Sequence, residues 1–84
     1  MAKSKRTTKQ LKTRVTYFGD GHEVRERFAV FEGAKRIGTI HKITCDRDTW
    51  FDPYRGTKGG DGKLVIKNYI IQRKNTLQAA VNEI

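Results

Sequence analysis

Apolar and polar positions alternate most regularly between Arg25 and Asp52. Phe28, Val30 and Phe31 come first, Gly33-Ala34 interrupts, Ile37, Ile40 and Ile43 follow, and Cys45–Asp48 leads the chain into Trp50-Phe51. Aromatic and β-branched residues bounded by Gly and Asp clusters predict an antiparallel meander. Upstream, Arg14–Phe18 is a short β-prone run, and the Asp20-Gly21 pair behind it is a hairpin signal. Within His22–Glu32, strict alternation puts Val24, Glu26, Phe28 and Val30 on one face and Arg25, Arg27, Ala29 and Phe31 on the other. The return strand breaks that period, because Ile37 and Ile43 share a parity that Ile40 does not. A bulge at Gly38 would reset the alternation and bring Ile40 inward with Ile43. A helix through 37, 40 and 43 is the competing reading, and Gly38, Thr39, Ile40 and Thr44 make it the poorer one.

Beyond the meander, the third strand should end at Pro53, which lacks an amide donor. Tyr54–Lys63 is glycine-rich and reads as a mobile loop. Leu64–Ile71 is β-prone again, one strand or two if Lys67-Asn68 splits it. Leu77, Ala80, Val81 and Ile84 recur at i, i+3, i+4 and i+7, the stripe of an amphipathic helix. Asn75 would cap this helix, with Gln78 three residues on as its capping-box partner. So short a helix is marginal alone and must lay its stripe on the sheet. The expected fold is α+β: an antiparallel sheet of three to four strands with one short C-terminal helix packed on one face.

Charge changes the picture at the N-terminus. The formal net charge is +9, and residues 1–14 hold Lys3, Lys5, Arg6, Lys9, Lys12 and Arg14 with no acid. Leu11 is almost the only apolar residue there, so residues 1–13 are expected to form a disordered basic tail, with 14–84 as a single small domain. Such a cation density attracts polyanions and releases their counterions.

Candidate chemistry is thin. Gly62-Lys63 fails as a phosphate loop, since position 57 is Thr57 and position 64 is Leu64. His22, His41 and Cys45 lack the short-spaced pair of a structural zinc site. Asp46, Asp48 and Asp52 lack the glycine and distal Glu of a calcium loop. The expectation is therefore no catalytic residue, no metal and no cofactor. A single cysteine excludes an intramolecular disulfide and suits a reducing compartment. The charged start has no apolar core of a secretory signal, and no run approaches the ~20 apolar residues of a membrane span, so a cytoplasmic, non-membrane protein is expected. What remains is surface chemistry. Trp50 and Phe51 fall on opposite faces, so one belongs to the core, and Trp50 or Tyr54 beside Arg55 is a candidate stacking platform or hot spot. With Lys58, Lys63 and Lys67, Arg55 would extend the phosphate-binding surface of the tail.

The order FAV, Gly33, RIGTI, Trp50, glycine loop, NTLQAAVNEI, over Phe28 to Ile84, resembles small phage-encoded accessory proteins with a sheet-then-helix core. It is also similar to the three-stranded-sheet-plus-helix domains that integrases use on arm-type DNA sites, from which the Gly56–Gly62 insertion and the extra strand depart. The resemblance implies DNA or RNA binding, or inhibition of a host protein through an acidic surface on that partner. The leading expectation is a basic nucleic-acid-binding accessory protein; the rival is the inhibitor or adaptor.

Overall fold

The meander is the spine of the protein, and both ends of the chain add strands to it. In the computed structural model, residues 6–12, 14–17, 21–56 and 63–84 are described. In chain order they form β1 (Arg6–Leu11), β2 (Thr16–Tyr17), β3 (His22–Glu32), β4 (Lys35–Cys45), β5 (Asp48–Arg55), β6 (Lys63–Leu64), β7 (Ile66–Lys67), β8 (Ile70–Ile71) and α1 (Leu77–Glu83). The main sheet has six strands in the order β1-β3-β4-β5-β6, with β2 also on β3, and β7-β8 is a separate hairpin. The fold is α+β as expected, with more strands than the three to four read from the sequence.

One of the added strands is β1. Residues 1–13 were expected to be a disordered tail, yet Arg6–Leu11 pairs in register with β3, from Arg6 opposite Glu32 to Leu11 opposite Arg27. Polarity did not prevent pairing because an edge strand needs only backbone hydrogen bonds, and its outward side chains stay in solvent. Lys3 and Lys5 lie outside the described residues, as do Asp20 of the first hairpin signal and positions 57–62 of the glycine loop.

Two bulges decide which side chains share a face. The β3–β4 register slips between Val24 and Glu26, leaving Arg25 unpaired, and again between Val30 and Phe31, where Ile37 is the extra residue. Each slip inverts the alternation beyond it. On one face lie Phe28, Val30, Ile40 and Phe51, joined by the bulged Ile37; there Leu77, Ala80, Val81 and Ile84 of α1 close the core. The bulge falls at Ile37 rather than at Gly38, and it brings Ile37, not Ile43, in with Ile40. Ile43 stays on the opposite face with Val24 and Trp50.

Where α1 meets the sheet, Gly38 provides the clearance. A Cβ there would stand 2.5 Å from the Tyr54 carbonyl oxygen and 2.8 Å from Cδ1 of Ile84. The helix cap is Thr76, not Asn75: its Oγ1 accepts from the Ala79 amide at 3.2 Å, and Gln78 instead donates to Asn82. The other helix end has no basic residue of its own, and the sheet supplies two. Arg6 Nη1 donates to the Val81 carbonyl, which also accepts from the Ile84 amide, at 2.9 Å, and Arg55 Nη2 to that of Glu83 at 3.0 Å, placing two cations at the negative end of the dipole.

The chain does not leave the sheet at Pro53. β5 runs on to Arg55, and the Pro53 carbonyl accepts from the Val65 amide on the outer edge. The proline nitrogen points to that same edge, so no bond to β4 is lost. Leu64–Ile71 is not one strand: Asn68 and Tyr69, at φ 54° and 65°, form a two-residue turn between β7 and β8.

Gly38→Ala is expected to lower the unfolding free energy by about 1–3 kcal/mol, since backbone must move to admit the methyl; a urea midpoint equal to wild type would show that α1 does not approach so closely. Deleting residues 1–13 should lower the melting temperature, because β1 goes with them. An unchanged melting curve would mean that β1 adds nothing to the sheet.

Candidate nucleic-acid interface

The face opposite α1 carries a row of polar side chains that the first bulge aligns. Arg27, His41 and Asp52 stand opposite one another across β3, β4 and β5. The row above holds Val24, Ile43 and Trp50, and the row below Ala29, Thr39 and Tyr54. Because β5 alternates, Trp50, Asp52 and Tyr54 project together while Phe51 joins the core.

Rings and guanidinium groups pack over these rows. His41 and Tyr54 lie with centroids 4.3 Å apart, and His22 meets Trp50 edge-on at 5.4 Å. Arg73 reaches in from the β5 edge, its Cζ 4.6 Å from the Trp50 centroid and its Nε 3.6 Å from Asp52 Oδ1. Arg36 donates to Thr39 Oγ1 at 2.9 Å. Among the described residues, the buried side-chain atoms lacking a hydrogen-bond partner are Arg36 Nε, His41 Nδ1, Trp50 Nε1 and Asp52 Oδ1, all on this face. Two of these atoms face one another, since the Trp50 indole lies beside the Asp52 carboxylate, whose Oδ1 also meets Arg73.

Burial, and then the Arg27 charge, push the His41 imidazole down to about 4, so it is neutral at physiological pH. Burial raises the Asp52 carboxyl against the opposing pulls of Arg73, the Trp50 indole N–H and His22. The indole approaches too loosely for a hydrogen bond, yet still favours the carboxylate. Burial and the Asp52 charge also raise the Tyr54 phenol.

Basic side chains exceed acids on both faces. On the helix side, Arg6–Glu32, Lys42–Glu26 and Lys74–Glu83 are ion-paired. The opposite face carries Lys9, Arg27, Arg36 and Arg73, and among described strand residues its acids are Asp52 and, at the turn end, Asp48.

The residues singled out in the sequence are dispersed by this geometry. Trp50 and Tyr54 share the polar face, with Lys9 across the sheet beside Ala29. Arg6 and Arg55 cap α1 and, with Lys35 and Glu32, line a groove of about 260 Å³ on the helix side. Lys63 stands opposite Arg55 on the same side. Lys12 and Arg14 are exposed between β1 and β2, Lys67 is exposed on β7, and Lys58 lies outside the described residues. Reading single residues missed His22, Arg27, Arg36, His41, Asp52 and Arg73 as members of one surface. The spacing Trp50, Asp52, Tyr54 was a usable signal; Arg27 was not, because its face depends on the Arg25 bulge.

Among the described residues, no three His, Cys, Asp or Glu side chains gather as metal ligands, and no helix is long and apolar enough to cross a membrane. Comparison with known proteins finds no matching family model, no matching curated protein and no matching solved structure.

The His41 shift has a definite sign. Between about 4 and 6.5 the unfolded chain binds a proton there that the folded protein refuses, so stability falls as pH drops through that window. Asp52 acts in the opposite direction just above its ordinary 3.8, where the folded form holds its proton longer. Urea unfolding followed from pH 7 to pH 4 should show a decline that His41→Gln flattens; an equal decline in the variant would assign the effect elsewhere.

Proposed function

We propose that this chain binds single-stranded nucleic acid across the sheet face opposite α1. The carrying observation is the meeting of Lys9, Arg27, Arg36 and Arg73 with the rings of Trp50, Tyr54, His22 and His41 on one sheet face. Flat aromatic groups on a sheet take bases that are splayed out, whereas bases inside a duplex are already stacked on one another. The Arg73 guanidinium on Trp50 presents a planar cation of the kind bases stack upon, so a nucleobase would extend that stack. Lys9 and the basic residues at positions 3, 5, 12 and 14 would meet phosphates without reading sequence. The helix-side cations contribute less, since Arg6 and Arg55 already serve the helix end. This function would be exercised in the cytoplasm and would need no catalysis and no cofactor.

Trp50 is the only tryptophan, so its fluorescence reports on this face. A single strand of about 16 nucleotides should quench it, with an affinity that falls as salt rises. Trp50→Ala should weaken binding by about 1–3 kcal/mol, and Lys9→Ala should reduce the logarithmic salt slope by about 0.7. A folded protein showing neither quenching nor a gel shift with any strand would overturn the reading and favour a protein partner with an acidic surface.

A further inference from the structure

Tyr69 is fully exposed at the tip of the β7–β8 hairpin and holds a left-handed φ of 65°, a conformation that suits Gly or Asn better than an aromatic residue. Its ring contributes no packing to the fold. Ile66 and Ile70 are also exposed on the same hairpin, 57% and 66%, on its two faces, with Ile70 next to Tyr69 at the tip. Residues 63–74 contain Lys63, Lys67, Arg73 and Lys74 and no acid, so what covers the tip must tolerate or prefer positive charge around it.

The position of the hairpin identifies the occupant. The chain leaves the β5 edge at Leu64, opposite Tyr54, and rejoins it at Lys74, opposite Phe51, with Arg73 turned onto Trp50. The hairpin therefore grows out of the sheet between the two aromatic residues of the candidate interface. A strand lying along β5 would run onto it, and an exposed ring beside basic residues is what single strands stack their bases upon. We infer that the β7–β8 hairpin is a second contact for the same single-stranded nucleic acid, with Tyr69 stacking on a base and the adjacent Ile70 packing against it. This inference rests on the nucleic-acid reading of the sheet face.

Tyr69→Asn suits the turn and removes the ring, so the variant should melt at or above the wild-type temperature. With the strand of about 16 nucleotides, it should bind roughly 5- to 100-fold more weakly while quenching Trp50 as fully at saturation, because the sheet face is still engaged. Ile70→Thr, a strand-compatible change, should also weaken binding. Unchanged affinity in both variants, with wild-type binding intact, would overturn the hairpin contact and leave the sheet-face reading standing. Absence of wild-type binding would overturn both. Vesicles of equal parts phosphatidylserine and phosphatidylcholine are the control: Tyr69-dependent co-sedimentation with them would reassign the tip to an anionic membrane and overturn the inference.

Discussion

The β3–β4 ladder is the constraint on which the rest depends, because two single-residue slips in it set the face of every side chain beyond them. At Arg25 the slip sends Arg27 to the side occupied by Val24 and so brings it opposite His41 and Asp52. At Ile37 the second slip turns an isoleucine of the wrong parity toward α1. Without the first there would be no polar row. Without the second the helix would lose one of the side chains it closes upon. A bulge costs a ladder position and leaves its residue unpaired, and in return it re-aims the strand beyond it.

Cations in this protein serve two ends, which explains why net charge alone is a poor guide to the interface. The short α1 has no basic residue in its last turn, and Arg6 from β1 and Arg55 from β5 meet its carbonyls. Glu26, Glu32 and Glu83 neutralise further cations on the same side. On the other face Arg73 stacks on Trp50 and pairs with Asp52, which is 4% exposed, its charged form disfavoured by burial. Surface ion pairs of this kind add little to stability. Each face has such pairs, Arg73–Asp52 among them, and each keeps cations beyond them.

The sequence showed the meander, the apolar stripe of α1 and the opposed faces of Trp50 and Phe51, because each follows from a local period. Edge pairing was not legible. Arg6–Leu11 has almost no apolar content, and its strand is templated by unsatisfied backbone groups on β3. The cap moved by one residue because Thr76 and Asn75 are both competent caps and the sheet chooses the register of the stripe. The polar row was hidden for the same reason as Arg27: one unpaired residue inverts a parity that counting assumes to be constant.

The two edges of the sheet carry different burdens. β1 is protected by Lys9 and by polar side chains along its exposed positions, a common guard against edge-to-edge association. β5 has a proline nitrogen on its outer side, and its free positions are filled piecemeal by Val65 opposite Pro53 and Lys74 opposite Phe51. Because residues 66–71 intervene between those two contacts, the edge cannot be covered by one continuous strand, and the surplus chain must project as a hairpin. A projection made only to bridge the gap would favour polar residues and glycine at its turn. Ile66, Tyr69 and Ile70 stand there instead, all exposed, so closing the edge does not by itself account for their type.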